Sequence, residues 1–355
     1  MFIRRIVLRS FRNFTNLELN PSKGIILIKG GNAQGKSNLL EGIHFLSIFK
    51  SLRAREDCDL INKNSQKAYI RGEVSREGRI YIIECYINDQ GKTVKVDYKL
   101  RKVGEAMGRC VSILYRDEDK EIIRGEPARR RDYLDEELSL LFPRYRDALS
   151  SFRKVLAQRN ALLKTNVLRE ELEPWNEEFA QLSSVLIKMR KQFIAELLPY
   201  FQDVYTRISE GREKVWLRYS ATTGETAEEI LRALKDMEEE EREKGMSLIG
   251  PQRDDMEIGI NDMDARYFSS LGQARTLSLS LRLAQYIYTK HLLGDSPVFL
   301  FDDLTSDLEE GRRKMIGEIL RAMEQVFLAT TDRGLLPIPI DMEIELKGGQ
   351  IARVS

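Results

Sequence analysis

Residues 25–45, IILIKGGNAQGKSNLLEGIHF, constrain the fold more than any other stretch of the chain. Ile25, Ile26, Leu27 and Ile28 form an apolar run without polar alternation, which predicts a strand buried on both faces. The sequence then turns to Gly30, Gly31, Asn32, Ala33, Gln34, Gly35, Lys36, Ser37 and Asn38. Apolar residues follow at Leu39, Leu40, Ile43 and Leu46, which is helical spacing. Strand, G-x-x-x-x-G-K-S and helix, in that order, make a phosphate-binding loop. Glycines let backbone N–H groups converge on phosphate oxygens, and the new helix aims its positive end at them. Lys36 is placed to reach the β- and γ-phosphates, and the Ser37 hydroxyl to join a Mg²⁺ shell. The alternative, a Gly-rich turn without a ligand, does not account for the flanking strand and helix. A nucleoside triphosphate site is predicted.

A second strand near the far end of the chain completes such a site. Pro297-Val-Phe-Leu-Phe-Asp302-Asp303 is a buried apolar strand that delivers two carboxylates at its C-terminal end, where open α/β sheets bind ligands. Asp302 is placed to hold Mg²⁺ directly or through water. Asp303 is placed to orient the attacking water and accept its proton. Lys36, Asp302 and Asp303 are therefore the catalytic candidates, and Ser37 and Asp302 the metal ligands. Most of the chain separates Lys36 from Asp302, which excludes small P-loop kinases and Ras-like folds.

The 355 residues allow a large core and two or so domains. Charged residues make up 32%, yet the net charge is only +1, so a nucleic-acid or membrane surface has to be a local patch. Cys58, Cys85 and Cys110 are far apart, as are His44 and His291, which argues against disulfides and zinc and for reduced thiols in the cytoplasm. His44 reads as packing. No signal peptide is expected from the opening MFIRRIVLRSFRNF, and no apolar run reaches the ~18 residues of a membrane span.

Around the phosphate loop the pattern predicts strands at 2–9 and 14–19, then an antiparallel meander at 68–74, 79–87 and 93–100, and a strand at 111–115. Helical texture begins near Asp117, with helices at 119–123, 128–141, 143–164, 173–208 and 226–243. Phe179, Leu182, Leu186, Met189, Phe193 and Leu197 form a packing seam, and Glu238–Glu241 reads as a solvated face. Mixed α/β texture returns with strands at 256–260, 297–301 and 326–330, helices at 276–293 and 309–323, and a terminal hairpin over 342–346 and 350–354. The expected organisation is an α/β head, 1–116 and 246–355, split by a helical insertion over 117–245.

Ser269-Ser270-Leu271-Gly272-Gln273 precedes the periodic helix, and a Ser and a Gly at a helix N-terminus make either an anion site or an ordinary N-cap. Beside both nucleotide-binding elements, S-x-G-Q resembles the signature motif of ABC-type ATPases. That resemblance implies that Ser270, Gly272 and Gln273 touch the γ-phosphate held by a second copy. Thr305-Ser306-Asp307-Leu308 resembles the D-loop of the same class. Six segments narrow the resemblance further: IRRIVLRSFRNF, GGNAQGKSNLLEGI, EIIRGEPARRRDYLD, IGPQRDDMEI, YFSSLGQARTLSLSLRLAQ and VFLFDDLTSDLE together look like the RecF family of bacterial recombination mediators. Ala33 departs from a common glycine, Gln252 from a common His and Glu309 from Asp.

The resemblance implies an ABC-type P-loop ATPase head, a mixed sheet with an antiparallel β lobe, plus the inserted helical domain as a short arm. It also implies an ATP-dependent homodimer that closes on DNA and opens after hydrolysis. Such a dimer acts with RecR and RecO to favour RecA loading at single-strand gaps, in repair and the SOS response. Arg12 and Asn13 would then approach the nucleotide phosphates, though Arg12 alone reads as a solvated turn arginine. Asp303, one methylene shorter than the Glu common in ABC ATPases, suits slow, DNA-stimulated turnover.

Candidate DNA cations are Arg129, Arg130 and Arg131, then Arg144, Arg146, Arg153, Lys154 and Arg159, then Lys188, Arg190 and Lys191. No base-reading element accompanies them, so recognition of the backbone and of gap or junction shape is expected. Two rivals fit less well. SMC-type proteins need long coiled-coil arms, for which the insertion is too short. A transporter's nucleotide subunit would carry His after the last buried strand, where this chain has Thr330, Thr331 and Asp332.

Overall fold

A computed structural model describes residues 1–165, 167–303, 310–331 and 338–355. The expected D-loop residues Thr305 to Leu308, together with Glu309 and Asp332, lie outside the described residues. The chain divides into two compact units.

The first unit comprises Met1–Lys120, Asp203–Arg212 and Ser270–Ser355 and holds two six-stranded sheets. One is antiparallel, in the order β2-β1-β4-β5-β6-β7. Its strands are β1 (Phe2–Phe11), β2 (Phe14–Leu19), β4 (Ala68–Arg76), β5 (Arg79–Asn88), β6 (Gly91–Val96) and β7 (Lys99–Arg101). The other contains β3 (Gly24–Lys29), β8 (Ser112–Arg116), β12 (Val298–Asp302), β13 (Gln325–Thr330), β14 (Met342–Lys347) and β15 (Gln350–Val354). Its order is β15-β14-β3-β13-β12-β8, parallel throughout except for the β14–β15 hairpin. The central strands β3, β13 and β12 are buried along their apolar runs, as expected for strands covered on both faces.

Helix α1 (Lys36–Ile48) packs on β8, β12 and β13 of the mixed sheet and on β1, β4 and β5 of the antiparallel one. Leu39 to Ile48 are buried without a break, Glu41, His44 and Ser47 included, so α1 is covered on every side instead of along one stripe. Leu39, Leu40, Ile43, Phe45, Leu46 and Ile48 each contribute roughly 1.5–3 kcal/mol by burial, which fixes α1 between the sheets. His44 is in this core, its Nδ1 2.9 Å from Ser112 Oγ, as packing predicts. Short helix α2 (Val103–Ala106) follows β7. Helices α10 (Leu271–Leu293) and α11 (Glu310–Arg321) complete the unit.

The second unit comprises Glu121–Gln202 and Glu213–Ser269. It contains most of α3 (Lys120–Arg124), then α4 (Pro127–Leu141), α5 (Pro143–Lys164) and the bulk of the 40-residue α6 (Arg169–Ile208). Beyond α6 come β9 (Val215–Ser220), α7 (Ala227–Asp236), α8 (Glu238–Lys244), β10 (Asp255–Ile260), β11 (Met263–Asp264) and α9 (Ala265–Phe268). The unit boundary differs from the expected insertion because β10 pairs antiparallel with β9 over six residues. That pairing carries 246–269 into the helical unit, while the C-terminal turn of α6 belongs to the first. Strand β9 itself was not expected from the sequence. The helix expected over 226–243 is two helices, which meet at Met237.

Polar networks hold this unit together. Arg159 donates to Glu241 at 2.6 Å, Ser247 Oγ at 2.7 Å and Asn176 Oδ1 at 2.7 Å. Arg159 and Glu241 are 1% and 0% exposed, so Glu241 is a core residue and not part of a solvated acidic face. Arg190 is likewise buried and donates to Asp135, Tyr145 Oη, Tyr219 Oη and the Pro251 carbonyl. Burial pushes the Tyr145 phenol well above its usual range.

Candidate nucleotide site

The loop between β3 and α1 is built by sterics. Gly35, the N-cap of α1, has φ 112°, and a Cβ there would stand 2.8 Å from Asn13 Nδ2 and 2.9 Å from Phe14 Cζ. A Cβ on Gly30 would stand 2.5 Å from the Leu346 carbonyl oxygen. Only glycine fits at either position. Ala33 adopts φ 61°, the left-handed conformation that explains a preference for glycine there and costs a side chain about 1–2 kcal/mol.

Lys36 Nζ donates to the carbonyls of Gly30 at 2.7 Å and Gly31 at 3.0 Å, which places the ammonium over the loop. Burial lowers its pKa, partly offset by the charges of Asp303 and Asp302. Ser37 Oγ donates to Asp302 Oδ1 at 2.8 Å. This bond joins the loop to the end of β12 and brings together residues that most of the sequence separates. Desolvation raises the Asp302 pKa, and the Ser37 hydrogen bond opposes that shift. Asp303 follows with φ 64°, exposed, its backbone N donating to the Ala329 carbonyl at 3.1 Å.

A divalent cation fits this corner. Ser37 and Asp302 supply hard oxygen donors side by side, and a half-buried carboxylate gains from a neighbouring positive charge. No group of three or more acidic, His or Cys side chains forms a metal cage among the described residues. The Ser37–Asp302 pair suits Mg²⁺, which takes one or two protein ligands and completes its shell with phosphates and water.

The other predicted residues divide into three groups. Asn13 Nδ2 donates to the Gln34 carbonyl at 3.2 Å, and Asn38 Nδ2 to Asn13 Oδ1 at 2.8 Å, so Asn13 and Asn38 brace the loop. Gln34 Oε1 accepts from the Gly348 backbone, and its Nε2 donates to the exposed Asn32 carbonyl. Arg12, by contrast, forms a two-pronged pair with Glu41 of α1, with both N···O distances 2.8 Å. Its guanidinium is therefore neither a solvated turn group nor directed by any hydrogen bond to the loop. Finally, Ser270 and Gln273 close a capping box at the start of α10: Gln273 N to Ser270 Oγ 3.1 Å, Ser270 N to Gln273 Oε1 2.8 Å. Gly272 is exposed beside them, and a Cβ there would meet none of the described residues within 4 Å.

Glu41, Ser51 and the Gly348-Gly349 turn were not legible as site residues in the sequence. Ser51 Oγ donates to Glu41, and a Cβ on Gly349 would stand 2.5 Å from the Asn13 carbonyl oxygen. A glutamate inside an apolar helix was the one available signal. Of the candidate DNA cations, most are committed elsewhere. Arg130 pairs with Asp255, Arg153 and Arg190 with Asp135, Arg159 with Glu241 and Lys191 with Glu225. Arg131 and Arg146 donate to the carbonyls of Asp254 and Ser139. Gln252 donates to the Ile249 carbonyl at 2.7 Å, and its buried Oε1 has no hydrogen-bond partner among the described residues.

Two phosphate-site elements joined across one mixed sheet, in a unit that also holds an antiparallel sheet, define a P-loop ATPase head of the ABC type. Residues 2–338 match the RecF/RecN/SMC N terminal domain family, and the chain belongs to that family. It is 33% identical over 344 residues to the DNA replication and repair protein RecF of Listeria monocytogenes serotype 4b, with 93% of each chain covered. To the RecF of Clostridium botulinum strain Okra it is 33% identical, over 100% of this chain and 98% of that one. A structure of the recombination mediator protein RecF with ATP, in the RecFOR pathway, superposes with a TM-score of 0.90 at 31% identity, covering 99% and 98%. A Pyrococcus furiosus Smc head, at 17% identity and a TM-score of 0.58, shares the fold.

Proposed function

We propose that the chain is an ATP-dependent DNA-binding repair factor whose nucleotide site is completed by a second copy. The single observation that carries the reading is the Ser37–Asp302 hydrogen bond, which couples the phosphate loop to the β12 carboxylates. ATP binds with its phosphates on the Gly30–Gly35 loop and its γ-phosphate near Lys36, whose present carbonyl partners it replaces. A bound Mg²⁺ would supply charge neutralisation for phosphoryl transfer. Ser37 and Asp302 hold that ion, and Asp303 orients the attacking water and takes its proton. Ser270, Gly272 and Gln273 serve the γ-phosphate of the partner copy, so ATP closes a homodimer on DNA and hydrolysis opens it.

Relatives named as the DNA replication and repair protein RecF, and a RecF structure in the RecFOR pathway, support a role in DNA repair; in our reading that role lies at single-strand gaps, with RecO and RecR, and favours RecA loading. Turnover is slow and DNA-stimulated, because a switch needs a closed lifetime longer than one encounter. The helical unit is the short arm of this head. Among the described residues no helix is long and apolar enough to cross a membrane.

The test is molar mass by light scattering with and without ATP and Mg²⁺, on the Asp303→Asn chain. A monomer converting to a dimer only with ATP is expected. A monomer under every condition refutes the roles given to Ser270, Gly272 and Gln273.

A further inference from the structure

Most candidate cations of the helical unit are held by acids or carbonyls, whereas the first unit contains a basic cavity. It has a volume of about 450 Å³ and lies in the antiparallel lobe, lined by Arg79 and Tyr81 of β5, Lys99 and Arg101 of β7, Arg109 and Glu105, with Val96 and Asp97. Four cations face two carboxylates there. Asp97 accepts from Arg79 at 2.6 Å and from the Ile82 backbone at 3.0 Å, so it is occupied. Arg101 and Glu105 approach only to 3.9 Å, too long for a hydrogen bond. Among the described residues no ion pair holds Lys99 or Arg109.

The cavity is also pre-organised. The guanidinium carbons of Arg79 and Arg109 lie 4.6 and 5.4 Å from the centroid of the Tyr81 ring. Stacking on a ring reduces the rotamer freedom those side chains lose when an anion arrives. Strand β7 is the exposed edge of its sheet; Tyr98 just before it and Leu100 within it are 64% and 68% exposed. Cations interleaved with an exposed aromatic suit a nucleic-acid strand, whose phosphates meet the charges while sugars and bases meet the apolar groups. A basic edge strand also discourages strand pairing, but that role needs neither the cavity nor Arg109.

We propose that this cavity binds the phosphate backbone of nucleic acid, independent of sequence. The inference rests on the DNA-binding reading above and adds a location to it. Its test is equilibrium binding of the full chain, with ATP, to gapped and duplex DNA across a salt series. Wild type is compared with Lys99→Gln/Arg109→Gln and with Arg109→Lys.

Loss of two phosphate contacts should reduce the slope of log K against log salt by about 2 and weaken binding about 60-fold at 0.1 M salt. Arg109→Lys should keep the wild-type slope, and the ATP-dependent molar mass should be the same for all three chains. On the unaltered protein, acetylation of Lys99 should fall when DNA is added and stay constant with ATP alone. DNA binding by wild type with an unchanged slope in the double variant, or Lys99 unprotected by DNA, overturns this inference and leaves the DNA reading intact. A wild type that binds no DNA at any salt overturns both. A double variant that keeps its DNA affinity and loses an acidic protein ligand also overturns it.

Discussion

Replacing Gly272 with alanine should move stability and assembly in opposite directions. Gly272 is the second residue of α10, its backbone is not left-handed, and a methyl group there would meet no atom of the described residues within 4 Å. Within the monomer the glycine serves no steric need, so Gly272→Ala should stabilise the fold by about 0.5–1 kcal/mol. With an unfolding entropy of about 2 cal/mol/K per residue and a unit of roughly 200 residues, that raises Tm by about 1–2 °C. The dimer should respond differently if the glycine admits a γ-phosphate held by the other copy. Displacing one charge-assisted hydrogen bond costs about 1.5–3 kcal/mol, a weakening of about 10- to 150-fold for each site. Thermal melts without nucleotide, and light scattering with ATP and Mg²⁺ on the Asp303→Asn background, read the two effects separately. Ser270→Arg should likewise spare ATP binding by the monomer and prevent dimerisation. A Gly272→Ala chain that melts higher and dimerises as tightly as its parent would refute the reasoning.

Glu241→Ala should leave the Arg159 guanidinium charged and unpaired in the core, at a cost of about 3–5 kcal/mol. Denaturant unfolding followed from the helical unit reads that loss, and joint replacement of Arg159 and Glu241 by Met and Leu should recover most of it. Ala33→Gly should relieve the left-handed backbone, keep ATP affinity at or above wild type and raise stability by a few tenths of a kcal/mol to about 1 kcal/mol, read by nucleotide titration and melting. Burial pushes the Cys85 thiol up to about 12 and the Cys110 thiol up to about 11, while Cys58 is exposed. Brief iodoacetamide treatment at pH 8 should therefore add a single label, at Cys58, by mass spectrometry, and three labels after denaturation. The Cys58 label should form more slowly than on a free thiol, because its hydrogen bond to Glu56 raises its pKa.

The sequence by itself determined the phosphate loop, because the chemistry needs fixed residue types at consecutive positions and leaves a local record. It determined the buried strands β3, β12 and β13 for a similar reason: burial on both faces demands an unbroken apolar run. The resemblance to the RecF family added the expected partners and the role proposed for the signature residues. Only the tertiary structure decided which charges are available. Arg159, Arg190 and Glu241 read as surface groups, yet they are buried, because a charge run on a helix does not reveal what packs across it. Arg12 pairs with Glu41 and the loop is braced by the Gly348 turn, contacts that depend on how distant strands meet. Strand β9 takes its place from β10, some forty residues on, and so from non-local pairing that no local pattern encodes.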